Sequence, residues 1–143
     1  MTESTDLEIS DDRSRIDVKA VHAFLSTSYW AEGRALETVE ASIRNSLCFG
    51  AYVAGRQVGF GRAVTDSATF AYLADVFVLP AYRGRGIAKL LVARILSHPQ
   101  LQGVGMLLRT RDAHELYRQF GFKAPQDPST LMVRPNGPEV VST

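Results

Sequence analysis

The pattern of apolar and polar positions predicts a short strand and then two helices in the first third of the chain. Leu7 and Ile9 alternate with polar residues, as in a half-buried strand, and a turn-forming stretch follows at residues 10–12. Helical spacing then places apolar side chains on one face of each predicted helix, at Val18, Val21, Phe24 and Leu25 and at Leu36, Val39, Ile43 and Leu47.

The linker between these helices combines two aromatic residues with two charged ones: Tyr29, Trp30, Glu32 and Arg34. Aromatic rings in such a loop either fill the junction between helices or line a pocket. Both interpretations are open at this point.

From residue 48 onward the pattern changes to strands. Ranges 49–54, 57–64 and 69–79 are predicted as three antiparallel strands joined by tight turns. Pro80 ends the third strand because proline cannot donate a hydrogen bond to a sheet. Four further elements are predicted: a helix over 85–97, a buried strand over 104–109, a helix over 112–120 ended by Gly121, and a strand over 131–133.

The composition indicates a folded domain. The chain has 143 residues, of which 45% are hydrophobic and 22% charged, so it is long enough for one core and too short for two ordinary domains. We assign residues 1–135 to a single domain and residues 136–143 to a disordered tail.

Charge and cysteine content favour a small-molecule partner in a reducing compartment. The formal charge is +1, and the basic residues are scattered, which argues against a nucleic-acid surface. Cys48 is the only cysteine and is interpreted as a buried small apolar residue. The acidic start is unlike a signal peptide, and no apolar run reaches the roughly 18 residues of a membrane span. We therefore predict a cytoplasmic location without membrane contact.

Two glycines and two arginines stand after Pro80, at the start of the helix predicted over 85–97. The first N–H groups of a helix lack partners and carry the positive end of its dipole, so phosphate binds there readily. Glycines let the anion approach the backbone, and arginines add charge-assisted contacts. The other interpretation is that the glycines only permit a turn. The residues concerned are Arg83, Gly84, Arg85, Gly86, Ile87 and Ala88.

Two common nucleotide-binding motifs do not fit this loop. The chain lacks the Gly-x-x-x-x-Gly-Lys-Ser/Thr phosphate loop, and Lys89 stands where the dinucleotide motif has Gly or Ala. A generic nucleotide-binding α/β domain is also disfavoured, because antiparallel strands precede the loop.

Residues 83–88 resemble the Arg/Gln-x-x-Gly-x-Gly/Ala signature for acyl-CoA in the GNAT acetyltransferase superfamily. Residues 113–122, Ala-His-Glu-Leu-Tyr-Arg-Gln-Phe-Gly-Phe, look like the family's second motif, and both lie in the family's order. The resemblance implies the GNAT fold, an α/β (α+β) architecture with a mixed, mostly antiparallel sheet of about six to seven strands and about four helices.

The resemblance also implies acetyl-CoA (coenzyme A) as cosubstrate. Its pyrophosphate would lie on the N–H groups of residues 83–88, and its pantetheine arm on the backbone of Val76, Phe77 and Val78, an extended edge used as in strand addition. Thr110 replaces the asparagine that contacts pantetheine in many members.

Two residues are candidates for catalysis. Asp75 would act as a base, most simply through water, although it could instead hold a turn, a helix end or Arg62. Tyr117 has the position of the tyrosine that protonates the departing thiolate in many members, although it could simply pack in the core. His114 could accept a proton or lie on a helix surface, and no histidine pair has metal-ligand spacing, so we predict no metal.

Acceptor selectivity in this superfamily comes from the loop between the first two helices and from the late strands. The resemblance therefore implies Tyr29, Trp30, Glu32 and Arg34 as the lining of the acceptor site. Glu32 could pair with an ammonium group and Arg34 with a carboxylate. The predicted function is acetyl transfer to a primary amine of a small molecule or peptide in a ternary complex. The alternative is a CoA-binding sensor with weak catalysis. Exposed strands near the C-terminus would allow a homodimer.

Overall fold

Five β-strands in chain order form one sheet in a computed structural model that describes residues 6–136. The first four strands pair antiparallel and the last pairs parallel to its neighbour. The mixed, mostly antiparallel sheet is confirmed, but the predicted number of six to seven strands is wrong for the described residues. The strands are β1 (Leu7–Ser10), β2 (Leu47–Val53), β3 (Arg56–Thr65), β4 (Phe70–Val78) and β5 (Gly105–Leu108).

Within residues 6–136, four α-helices accompany the sheet, as predicted. They are α1 (Val18–Leu25), α2 (Leu36–Arg44), α3 (Ile87–Leu96) and α4 (His114–Arg118). Short 3-10 turns lie at Arg13–Arg15, Pro80–Tyr82, Pro99–Leu101 and Pro128–Thr130.

Local interactions and backbone geometry explain the start of α1 and the turn between β2 and β3. The carboxylate of Asp17 accepts a hydrogen bond from the Ala20 N–H at 3.1 Å and so caps α1. Ala54 and Gly55 both have positive φ, +51° and +83°, which gives the two-residue turn that suits a twisted β2–β3 hairpin. The turn falls one residue before its predicted place.

Helices α1 and α2 pack on one face of the sheet and α3 on the other. The first core contains Val21, Leu25, Val39, Ile43, Cys48, Phe60 and Phe77. The second contains Ala51, Val58, Val78 and Ile87. Cys48 is buried as predicted, and its thiol lies 3.3 Å from the Ile43 carbonyl oxygen. Burial raises the pKa of this thiol, with neighbouring arginines opposing the effect in part.

The described chain falls into two compact units, residues 6–111 and 112–136. In the second unit, Tyr117 of α4 packs edge-on against Phe122 with ring centroids 5.8 Å apart. Gly121 has a φ of +90° and ends the turn after α4, as predicted. The assignment of residues 1–135 to a single domain stays a prediction.

The strand predicted over residues 131–133 is absent from the described structure. Leu131, Met132 and Val133 are 49%, 92% and 54% exposed, and none pairs with a described strand. An apolar run predicts a strand only where a partner strand supplies hydrogen bonds. Residues 137–143, nearly all of the predicted tail, lie outside the described residues.

Candidate active site

The loop of residues 83–88, called the glycine loop below, joins the sheet to α3. Gly84 and Gly86 have φ values of +81° and +80°, which favour glycine strongly. Gly86 precedes the first residue of α3, and no side chain among the described residues caps this helix end. A Cβ atom at either glycine would meet nothing within 4 Å, so the space beside the backbone is open. The helix therefore presents its first N–H groups without a side chain in front of them.

The two arginines of the glycine loop have different surroundings. Nε of Arg83 donates to the Val78 carbonyl at 3.0 Å and so ties the loop to the end of β4. The guanidinium of Arg85 lies over the Tyr82 ring, 4.9 Å from its centroid. Both side chains are thus held by the chain itself, close to the helix N-terminus.

Strands β4 and β5 pair along only part of β4. Their register runs from Phe70↔Gly105 to Leu73↔Leu108. The later part of β4 pairs with β3 on its other side, through Ala74 and the two residues at 77 and 78. On the β5 side this part of β4 has no strand partner among the described residues. The sequence prediction that an extended chain pairs with Val76, Phe77 and Val78 concerns this segment.

Asp75 lies at an irregularity in β4, next to where the pairing with β5 ends. Phe60 pairs with Phe77 but Arg62 pairs with Ala74, so Gly61 faces two residues of β4, the arrangement of a β-bulge. Asp75 has a φ of +57°, which costs a non-glycine residue about 1–3 kcal/mol and is best tolerated by Asn and Asp. The bulge aims the Asp75 side chain toward the face of the sheet that carries α1 and α2.

Three donors surround the Asp75 carboxylate, and together these four residues form what we call the Asp75 cluster. Oδ1 accepts from Nε1 of Trp30 at 2.8 Å. Oδ2 accepts from Nη1 of Arg34 at 2.9 Å and from Nε of Arg62 at 2.7 Å. The Asp75 side chain is only 2% exposed, so these charge-assisted bonds replace its hydration.

The electrostatics of the cluster keep Asp75 ionised. Burial on its own would raise the pKa of the carboxyl, but the charge and hydrogen bond of Arg62, the charge of Arg34 and the hydrogen bond from Trp30 together lower it below its ordinary value. Asp75 is therefore a carboxylate at neutral pH. One role that the sequence left open for Asp75, an ion pair with Arg62, is present.

Acid is expected to destabilise the protein in part through Asp75. A pKa that is lower in the folded state stabilises the fold above the unfolded-state pKa of about 3.9, and this contribution is lost as the pH falls toward the folded value. Urea unfolding between about pH 6 and 2 should therefore show a smaller loss of stability in Asp75→Asn than in the wild type. Equal pH dependence in the two proteins would show that Asp75 is not paired in solution.

The residues predicted for the acceptor site divide into two groups. Trp30 and Arg34 join the Asp75 cluster, and Tyr29 lies beside it with its ring 5.1 Å from that of Trp30. Glu32 is exposed and forms no ion pair within residues 6–136. Of the two interpretations of this loop, neither is complete: Trp30 packs toward Phe24 at 6.3 Å, yet 38% of Trp30 stays exposed.

Arg111 contacts Tyr29, a neighbour that the sequence did not indicate. Its guanidinium lies 3.7 Å from the centroid of the Tyr29 ring, and its backbone N–H donates to the Tyr29 hydroxyl at 3.1 Å. Residues 29 and 111 are far apart in sequence, so only the fold reveals this contact. A cation over an aromatic face could not be read from spacing.

Thr110 belongs to the first compact unit and Tyr117 to the second. Tyr117 is 8% exposed and packs on Phe122. Thr110 follows β5 and is half-buried. His114, the other histidine considered for proton transfer, is exposed at the start of α4. The catalytic and CoA-contact roles given to Tyr117 and Thr110 stay predictions.

Two kinds of feature are absent from the described residues. They contain no group of three or more His, Cys, Asp or Glu side chains placed to hold a metal ion. None of the helices in residues 6–136 has the length and apolar character needed to cross a membrane.

Comparisons with known proteins agree with this geometry. The family model for the GNAT acetyltransferase domain matches residues 44–124. A Gibberella zeae protein assigned as an acetyltransferase is 31% identical over 142 residues, covering 82% of this chain and 80% of that protein. A crystal structure of a Xanthomonas campestris protein assigned to the GNAT family is 47% identical, with a TM-score of 0.88 and coverage of 96% of this chain and 97% of that one.

A more distant structure has the same fold. The aminoglycoside acetyltransferase AAC(6′)-Iy, in complex with a bisubstrate analogue of CoA and acetylneamine, is 20% identical with a TM-score of 0.64, covering 92% of this chain and 99% of that one. Taken with the family match, these findings place the chain in the GNAT family of acetyltransferases.

Proposed function

We propose that this protein transfers the acetyl group of acetyl-CoA to a primary amine of a small molecule or peptide, by direct attack in a ternary complex. The observation that carries the proposal is the glycine loop, with left-handed Gly84 and Gly86 before an uncapped α3. Membership of the GNAT family supports acetyl transfer as the reaction class.

The residues present fit a nucleotide diphosphate. Uncapped N–H groups bind a pyrophosphate best where no Cβ stands in front of them, and both glycines face open space. We assign the pyrophosphate to the backbone of residues 83–88, supported by the charges of Arg83 and Arg85. We assign the pantetheine arm to the part of β4 beyond Leu73, where β5 no longer pairs.

When bound, acetyl-CoA supplies a thioester carbonyl for an amine to attack. A simple alkylamine has a pKa near that of lysine, about 10.4, so at pH 7 fewer than about one molecule in a thousand is neutral. The chain must therefore help a proton to leave the amine. Asp75 stays ionised but is buried and holds three donors. These contacts favour Asp75 as a positioning residue for Trp30 and Arg34, with water carrying the proton.

Tyr117 is the proposed donor of a proton to the departing thiolate. Tyr117→Phe is expected to lower turnover about tenfold, less than general acids usually contribute, because a thiol with a pKa of about 8.5 leaves readily without protonation. Acetyl-CoA affinity should change little. Tyr52→Phe is the matched control, because its hydroxyl donates to the Arg15 carbonyl at 2.9 Å, in a structural contact. Unchanged turnover in Tyr117→Phe would make Tyr117 a packing residue.

Release of free CoA from acetyl-CoA, followed with a thiol reagent, tests the reaction. The proposal predicts release that depends on an added amine when amines, amino acids and short peptides are supplied in turn. Release at the same rate without amine would indicate thioester hydrolysis. Binding of acetyl-CoA with no release for any acceptor would favour the CoA-binding sensor.

A further inference from the structure

We propose that the amine acceptor carries an anionic group, a carboxylate or a phosphate, which binds the guanidinium of Arg34 beside Trp30. This inference rests on the proposed function, because it describes the acceptor of that reaction. It follows from the charge balance of the Asp75 cluster and from which of its donors reach solvent.

The Asp75 cluster contains more positive than negative charge. Arg34 and Arg62 share one carboxylate, and both bonds go to the same oxygen, Oδ2 of Asp75. The side chains of Arg34 and Arg62 are only 21% and 13% exposed. Guanidinium groups that have lost much of their hydration attract an anion more strongly than fully solvated ones do.

Arg34, not Arg62, is the arginine that can receive the anion. Arg62 uses Nε on Asp75 and Nη1 on the Ser46 hydroxyl at 3.1 Å, so it is committed to the interior. Arg34 donates to Asp75 through Nη1 alone within the described structure. No buried side-chain N or O atom of the described residues lacks a partner, so the remaining N–H groups of Arg34 reach solvent.

Exposed aromatic rings and a second cation border this position. Tyr29 and Trp30 are 44% and 38% exposed, and their ring centroids lie 5.1 Å apart, so the two rings form one continuous aromatic surface. The guanidinium of Arg111 lies over the face of the Tyr29 ring. The acceptor would thus contact the rings of Tyr29 and Trp30. Arg34 and Arg111 would add positive charge beside these rings.

The guanidinium of Arg34 favours an anionic group of the acceptor over its ammonium group. Its parallel N–H groups match the two oxygens of a carboxylate or phosphate, whereas they repel the ammonium of an acceptor. An amine with an anionic end should therefore bind with that end on Arg34. Its other end would then be the amine that reacts.

Fluorescence of Trp30 reports on this position directly, because Trp30 is the only tryptophan of the chain. We would titrate amines into the intact protein, both in the presence and in the absence of acetyl-CoA. The amines come in sets of three that share the same spacer and differ in the group at its end, which is a methyl, a carboxylate or a phosphate. Propylamine, β-alanine and O-phosphoethanolamine form one such set, and α-amino acids with their decarboxylated amines extend the series. Amide formation is measured by mass spectrometry in the same samples.

The inference predicts that at least one anionic member binds ten times more tightly than its methyl partner. Arg34→Gln should abolish this preference, whereas Arg56→Gln, which removes an exposed arginine outside the cluster, should keep it. If Arg34→Gln does not fold, Arg34→Lys keeps the charge beside Asp75, loses the parallel N–H groups of the guanidinium and should reduce the preference. Preference for the carboxylate or for the phosphate identifies the acceptor class.

The outcomes separate this inference from the proposed function. No preference for any anionic member, or a preference that Arg34 variants leave unchanged, would overturn the inference even if amides form. Anion-dependent binding without amide formation from any acceptor would instead remove the proposed reaction.

Discussion

Asp75→Asn is expected to lower the free energy of unfolding by about 3–5 kcal/mol, the usual effect of breaking a buried ion pair. The substitution keeps the shape of the side chain, and Asn tolerates the positive φ at this bulge as well as Asp does. It removes the charge that holds Arg34 and Arg62 together in a largely buried place. Urea unfolding followed by circular dichroism at pH 7 measures the difference.

Asp11→Asn provides the matched control for the loss of a paired carboxylate. Oδ1 of Asp11 lies 4.0 Å from Nη2 of Arg94, and its Oδ2 lies 3.4 Å from Nε2 of His98. The Asp11 side chain is 44% exposed. Exposed pairs of this kind contribute about 1 kcal/mol or less. If Asp75→Asn is no more destabilising than Asp11→Asn, the Asp75 cluster does not hold the fold together as described.

Gly86→Ala is expected to weaken acetyl-CoA binding about 100-fold, because hydrogen bonds to a charged group contribute about 1.5–3 kcal/mol each. The added methyl group would stand beside the first N–H groups of α3, in the space that is now open. A left-handed φ with a Cβ also costs about 1–2 kcal/mol, so the loop would relax and turn its N–H groups away. Calorimetric titration with acetyl-CoA measures the affinity.

Gly103→Ala separates strain from ligand contact. Gly103 has a φ of +78°, and a Cβ there would also meet nothing within 4 Å, but it lies between a 3-10 turn and β5. The two alanine variants should lose similar stability, and only Gly86→Ala should lose affinity. Equal affinity in both variants would remove the glycine loop from the CoA site.

Much of the fold could be predicted because its signals are local. The apolar spacing of α1 lies within one stretch of chain, and so do Pro80 and the glycines before α3. The prediction of a strand over residues 131–133 was wrong because a strand also needs a neighbouring strand to pair with. The spacing of apolar residues does not reveal whether such a neighbour exists. The predicted number of strands was too high for the same reason, because the sixth strand that the pattern indicated is the one over residues 131–133.

The candidate site could be predicted only in part. The order of arginine and glycine before α3 indicated an anion site, and the pairing of Asp75 with Arg62 was among the alternatives. The bonds from Trp30 and Arg34 to Asp75 join residues more than forty positions apart, so no local pattern contains them. The sequence prediction paired Arg34 with a carboxylate of the acceptor, and the fold shows that Nη1 of Arg34 already donates to Asp75, a carboxylate of the chain itself.

The central claim is that the glycine loop binds the pyrophosphate of acetyl-CoA. Calorimetry with acetyl-CoA and, separately, with S-acetylpantetheine tests it most directly, because the second compound has the thioester arm without the nucleotide diphosphate. We predict that acetyl-CoA binds and that S-acetylpantetheine binds at least about 100-fold more weakly, as expected from the loss of several charge-assisted bonds. Equal affinities, or no binding of acetyl-CoA, would contradict the account.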